Sequence, residues 1–160
     1  MKEYNVLVFP CGTEIANEVI NSLMNHKYFK LLFASSEGIS YCNFRGKEIS
    51  ILPYVSDENF SNELNNIISN KQIDFIIPAH DDVAFALSQI ENEIEAKIIG
   101  QSRDVNEIVR FKDVTYEHFK DILPLGKVFD SEPQNDEFPI FVKPKKGQGS
   151  FNSLKLNTLN

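Results

Sequence analysis

In Asn5-Val6-Leu7-Val8-Phe9 the residues after Asn5 are an unbroken apolar run, closed by Pro10 and Gly12. A strand with one wet face alternates polar and apolar residues. A continuous run of this length, bounded by turn residues, reads as a strand covered on both faces. Thr13 then stands at an N-cap position, and Ile15, Val19, Ile20 and Leu23 recur at helical spacing. The alternation repeats outward from there. Residues 30–34 form a second buried strand, broken by Ser35-Ser36-Glu37-Gly38. Residues 39–53 read as short extended pieces around Arg45-Gly46. Ser56 or Asp57 caps a helix whose apolar residues are Phe60, Leu64, Ile67 and Ile68. Residues 74–78 are a third strand, residues 83–90 a short helix and residues 96–100 a fourth strand. Buried strands alternating with helices define the α/β class: a three-layer, Rossmann-like, mainly parallel sheet with right-handed crossovers over residues 1–101.

The pattern changes after Gly100. Ser102 caps a helix through Val105, Ile108 and Val109, and Asp113 caps another through Phe119 and Ile122, ended by Pro124. Residues 126–130 read as a strand, 131–138 as a loop, 140–143 as a strand, 144–152 as a glycine-containing loop and 153–156 as the start of another strand. Residues 102–160 are therefore a pair of linking helices followed by a strand–loop–strand element. A hairpin alone is marginal in water and needs a partner surface.

The chain has 160 residues, 42% apolar and 24% charged, which suits a globular fold with a real core. Seven glycines and seven prolines exclude collagen-like and low-complexity classes. No apolar run approaches the ~18 residues of a membrane span. The first apolar stretch is Val6 to Phe9 only, which suits a strand rather than a secretory signal. With two cysteines, Cys11 and Cys42, the expectation is a reduced, cytoplasmic protein. None of His26, His80 and His118 lies at ligand spacing from a cysteine, so no metal site is expected. His26 and His118 read as surface helix residues. The thirteen phenylalanines fall mostly in strands and helices, as packing residues.

Net charge is −7, which disfavours a general nucleic-acid coat. Residues 1–126 carry 11 basic and 19 acidic side chains, whereas residues 127–160 carry 5 and 4. The exception to the acidic body is Lys143-Pro144-Lys145-Lys146, a cluster suited to a phosphate or a carboxylate. Gly147, Gly149 and Ser150 follow it. Glycines let backbone N–H groups approach a polyanion, and lysine supplies charge. The spacing is not that of the P-loop, and no helix start follows. The plain alternative is a solvated, lysine-rich turn.

Phe138-Pro139-Ile140-Phe141-Val142-Lys143-Pro144, followed by Gly147-Gln148-Gly149-Ser150, resembles the ATP-grasp superfamily. The similarity is to its carboxylate–amine or carboxylate–thiol ligases, such as the large subunit of carbamoyl phosphate synthase. Phe111-Lys112-Asp113-Val114-Thr115 matches the family's upstream basic residue at a helix start. Ile76-Ile77-Pro78-Ala79-His80-Asp81-Asp82 is similar to its strand–proline–acidic segment. The resemblance implies a pre-ATP-grasp domain over residues 1–101 and the start of an ATP-grasp small subdomain over 102–160. It implies that Lys112 and Lys143 contact ATP phosphates and that Gly147, Gln148, Gly149 and Ser150 form a lid over them. It further implies an acyl phosphate intermediate and a small-molecule carboxylate substrate, with neither nucleic acid nor membrane as partner.

The family's adenine hinge and magnesium carboxylates would follow Asn160. The expectation is ATP as the cofactor, joined by Mg2+ only in a complete protein, and that the isolated chain, with no catalytic residue of its own, is not a competent ligase. The alternative is a non-catalytic α/β binding or interaction module derived from such a ligase. An exposed hairpin edge invites pairing with a second copy or with a missing C-terminal part on another chain.

Other candidates stand outside these motifs. His80, Asp81 and Asp82 follow a strand where open α/β sheets gather ligands, and are candidates for a substrate amine or acid; helix capping by either aspartate is the plain alternative. Pro10-Cys11-Gly12-Thr13 lacks all but one glycine of the dinucleotide fingerprint and reads as a tight strand-to-helix turn. Cys11 reads as a small buried thiol, and Arg45 as a solvated turn residue.

Overall fold

The computed structural model describes residues 2–38, 41–44, 46–147 and 149–158. Arg45 and Gln148 lie outside the described residues. The chain divides into two compact units, Met1–Asn106 and Glu107–Asn160.

The first unit is built on a parallel five-stranded sheet of order β3-β2-β1-β4-β5: β1 Tyr4–Phe9, β2 Phe29–Ser35, β3 Ile49–Ile51, β4 Phe75–Pro78 and β5 Lys97–Ile98. Its helices are α1 Glu14–Leu23, a short α2 Tyr41–Phe44, α3 Phe60–Lys71 and α4 Asp81–Gln89. β1 is central and shows why the opening run had to be continuous. Leu7 and Phe9 enter one apolar cluster with Phe60, Leu64 and Ile68 of α3 and Val83 and Leu87 of α4. Val8, facing the other way, enters a second cluster with Ala16 and Ile20 of α1, Phe33 and Cys42. Successive side chains on a strand point to opposite faces, so helices on both sides require apolar residues at every position.

Thr13 caps α1: its hydroxyl oxygen accepts from the Ala16 N–H at 3.0 Å and donates to the carbonyl of Ala79 at 2.8 Å. One residue thus starts a helix and ties the loop after β1 to the loop after β4. The strand order reverses between these two strands, and the crevice at their carboxyl ends is the topological switch point of the sheet. The buried face of α1 is Ala16 and Ile20, while Ile15 is about half exposed. Helix α3 starts at Phe60 after Asn59. Asp57, expected as a cap, instead accepts the Asn59 N–H at 2.8 Å in the preceding turn.

Helix α5, Arg103–Arg110, carries the chain across the division between units. The expected apolar face is not its covered face. Val105 and Val109 are exposed, whereas Asn106 and Arg110, one turn apart, are buried. Asn106 Nδ2 reaches the Gln101 carbonyl at 2.9 Å, which satisfies part of a polar group that would otherwise be costly to bury.

The second unit contains α6, Lys112–Phe119, and an antiparallel pair, β6 Ile140–Val142 with β7 Leu154–Leu156, in register Ile140↔Leu156 and Val142↔Leu154. Residues 126–130 are not a strand. They have no ladder partner, and a segment becomes a strand only when a neighbour takes up its backbone groups. Helix α6 stops short of Ile122, which is exposed. Among the described residues of this unit no apolar side chain is fully buried.

Candidate anion-binding site

The start of α6 sets the geometry. Phe111, at the N-cap, offers no oxygen to the first-turn amides. The Lys112 N–H is one of these orphan donors, and it bonds the Lys145 carbonyl at 2.9 Å. The loop after β6 therefore caps the helix. The Lys112 ammonium donates to the Gly147 carbonyl at 3.0 Å. Asp113 is one residue inside the helix rather than its cap. Its Oδ1 accepts from the Val114 N–H at 3.1 Å, and its Oδ2 pairs with Lys145 Nζ at 3.1 Å. Lys145 lies 3.9 Å from Asp130 as well. The Lys145 bond, aided by the Val114 N–H, holds the Asp113 carboxyl below its ordinary value. The Thr115 hydroxyl lies against the carbonyls of Phe111 and Ile108, either of which can accept its one proton, and so anchors the helix start.

Lys143 directly follows β6, exposed, with its ammonium 5.5 Å from the centre of the Phe141 ring. Residues two apart on an extended chain share a face, which aligns the cation with the aromatic. The other strand-side lysine, Lys127, is paired with Glu137. Glu137 also accepts the Gln134 N–H at 2.7 Å in the capping box of the 3-10 turn Asn135–Glu137, and Lys127 and then Gln134 hold its carboxyl below the ordinary value.

These side chains line one cavity of about 710 Å³. Four lysines, Lys112, Lys127, Lys143 and Lys145, face it with two acids, Asp113 and Glu137; Tyr116, Phe129 and Phe141 supply aromatic surface. An excess of cations beside aromatic faces suits an anion carrying a flat apolar group. The loop turns back through left-handed backbone at Gly149 (φ +62°), Ser150 (φ +58°) and Asn152 (φ +56°). At Gly147 (φ +156°) an added Cβ would sit 3.2 Å from Pro144 Cγ.

Of the residues expected to hold phosphate, Lys112 and Lys143 line this cavity, and Gly147 accepts the Lys112 ammonium. Gly149 and Ser150 are exposed loop residues outside the lining. Lys145, Lys127 and the pairing role of Asp113 escaped the sequence reading; the only signal was the lysine cluster at 143–146. His80, Asp81 and Asp82 belong to the first unit, at the carboxyl end of β4. The imidazole, not an aspartate, is the N-cap of α4: His80 Nδ1 accepts from the Asp82 N–H at 3.2 Å. The two aspartates fall in the first turn, where the helix dipole favours them. Cys11 and Cys42 are buried and not joined in a disulfide, and Cys42 Sγ lies 3.1 Å from the Cys11 carbonyl. His26 lies in the turn after α1, stacked on Phe29 at 4.6 Å, rather than on a helix; His118 is exposed on α6. Among the described residues no group of three or more His, Cys, Asp or Glu side chains is placed to hold a metal ion, and no helix is long and apolar enough to cross a membrane.

No protein-family model matches this sequence, and no curated protein does. Among solved structures the fold matches that of an ATP-grasp superfamily enzyme. That enzyme is N5-carboxyaminoimidazole ribonucleotide synthetase from Thermotoga maritima, with a TM-score of 0.62 and 20% identity over 99% of this chain. The chain spans 42% of the length of that synthetase. A likeness at this identity is one of fold.

Proposed function

We propose that this chain is the N-terminal part of an ATP-dependent carboxylate–amine or carboxylate–thiol ligase of the ATP-grasp type, and that its second unit holds the ATP phosphates. The observation that carries this reading is the convergence of Lys112, from the start of α6, and Lys143, from the end of β6, on one lysine-lined cavity. The motif around Phe138–Pro144 and the ATP-grasp fold likeness support it. The narrower kinship with carbamoyl phosphate synthase rests on that motif alone.

Phosphoryl transfer asks a protein for positioning and charge compensation more than for covalent chemistry. Lys143 supplies an ammonium with an aromatic neighbour, and Lys112 supplies a second from the opposite element. Gly147, whose carbonyl Lys112 now holds, lies in the loop that would cover the triphosphate. Phe129 and Phe141 provide apolar surface for a base. ATP fits this donor set. Among the described residues no group of three or more His, Cys, Asp or Glu side chains is placed to hold magnesium. Formation of an acyl phosphate on a small-molecule carboxylate belongs to the whole ligase of which such a chain forms the start. At the switch point of the first unit, His80, Asp81 and Asp82 are the candidates for contact with that carboxylate or its amine partner.

Calorimetric titration with ATP tests the reading. We expect saturable binding that Lys143→Ala weakens roughly tenfold or more, the worth of one charge-assisted hydrogen bond. Binding unaffected by Lys143→Ala would overturn it.

A further inference from the structure

We infer that Lys145 is a further ligand of the bound polyphosphate, held in reserve by Asp113, so that Asp113 sets the affinity of the site. The inference rests on the phosphate reading above and deepens it. The cavity's lysines are not equivalent. Lys143 faces an aromatic ring at 5.5 Å and, among the described residues, no carboxylate pairs with it. Lys112 is held by a neutral carbonyl, Gly147 O, at 3.0 Å. Lys127 and Lys145 are held by carboxylates.

Those two carboxylate pairs differ in a way that decides which can open. Glu137 is part of a capping box: it accepts the Gln134 N–H at 2.7 Å while pairing with Lys127, so its position is set by the turn it closes. Lys127 stays beside a fixed partner. Lys145 instead sits between two acids, Asp113 at 3.1 Å and the largely exposed Asp130 at 3.9 Å. Its side chain is more than half exposed and rides on the loop after Pro144. Asp113 keeps its Val114 N–H bond, at 3.1 Å, whether or not Lys145 is present. The lysine can therefore leave without stranding a buried charge. An exposed pair of this kind is worth at most about fivefold in an equilibrium constant. A polyphosphate presents several anionic oxygens and outcompetes one carboxylate. Lys145 would then join Lys112 and Lys143 on the ligand, while its own carbonyl still caps α6 through the Lys112 N–H.

The test is a titration of the chain with inorganic tripolyphosphate in four forms: the parent, Asp113→Asn, Lys145→Ala and the double variant, with Lys143→Ala as the control for the site. Asn at 113 still accepts the Val114 N–H, and circular dichroism checks that α6 is intact. We expect Asp113→Asn to tighten binding by about two- to fivefold, Lys145→Ala to weaken it, and Asp113→Asn to have no effect once Lys145 is removed. A tightening that persists in the Lys145→Ala background would mean that Asp113 merely repels the anion, and would overturn the inference. So would unchanged or weaker binding by Asp113→Asn in a chain whose binding Lys143→Ala abolishes, and there the phosphate reading survives. Failure of the parent chain to bind tripolyphosphate would overturn both.

Discussion

The ammonium of Lys112 donates to the carbonyl oxygen of Gly147 at 3.0 Å. The helix start and the glycine loop are thus one structural piece, although they are distant in sequence. Replacing Lys112 by Met removes the charge and that bond while keeping the aliphatic stem. We expect ATP affinity to fall by about tenfold or more. Amide exchange at position 112, whose N–H bonds the Lys145 carbonyl, should quicken, while exchange in β1 and β4 stays slow. Hydrogen exchange read residue by residue checks both parts.

Gly149 has φ +62° and nothing within 4 Å of a Cβ built there. Substitution costs backbone conformation, not space. Asn tolerates the left-handed region better than Ala, and β-branched residues tolerate it worst. We expect the order Gly, Asn, Ala, Val for ATP affinity, with the global unfolding midpoint nearly constant along the series. An order that follows side-chain size alone, with Ala ahead of Asn, would show that space and not φ governs the loop.

Thr13 performs two tasks in the first unit, capping α1 and bonding the Ala79 carbonyl. Thr13→Ala should cost about 1–2 kcal/mol of stability. Thr13→Ser, which keeps both bonds, should cost well under half as much. Urea unfolding of the two variants measures the difference.

Asp74 accepts the Asn5 N–H at 2.8 Å and pairs with Lys2 at 3.1 Å, and these hold its carboxyl below the ordinary value of 3.8. A carboxyl with a depressed folded value binds its proton more readily when unfolded. Its contribution is therefore fully present above the ordinary range and is lost as pH falls through the lower, folded value. Asp74→Asn should flatten part of the acid-side decline in stability and leave the slope near neutral pH unchanged. Denaturant unfolding across the acid range checks the sign.

The first unit was legible because its strands are buried on both faces. Continuous apolar runs at β1, β2 and β4 carry that signal without help from distant residues. The helix faces were read less well. On α1 the small Ala16 is covered while Ile15 is half exposed, and on α5 Asn106 and Arg110 are buried in place of Val105 and Val109. Apolar spacing marks a stripe, but its rotation depends on what packs against it. Residues 126–130 have strand-like composition and no ladder, because pairing is decided by neighbours. The motifs single out Lys112 and Lys143, and both line the cavity of the second unit. The Asp113–Lys145 pair was not legible, since a first-turn aspartate has the same local signature whether it caps a helix or holds a lysine from a distant loop.

Binding of ATP phosphates in the cavity of the second unit is tested most directly by titrating the 15N-labelled chain with ATP and following amide chemical shifts. We expect saturable shifts concentrated at Lys112, Asp113, Lys143, Lys145 and Gly147. No saturable shift, or shifts confined to Gly12, Thr13 and His80–Asp82, would contradict it.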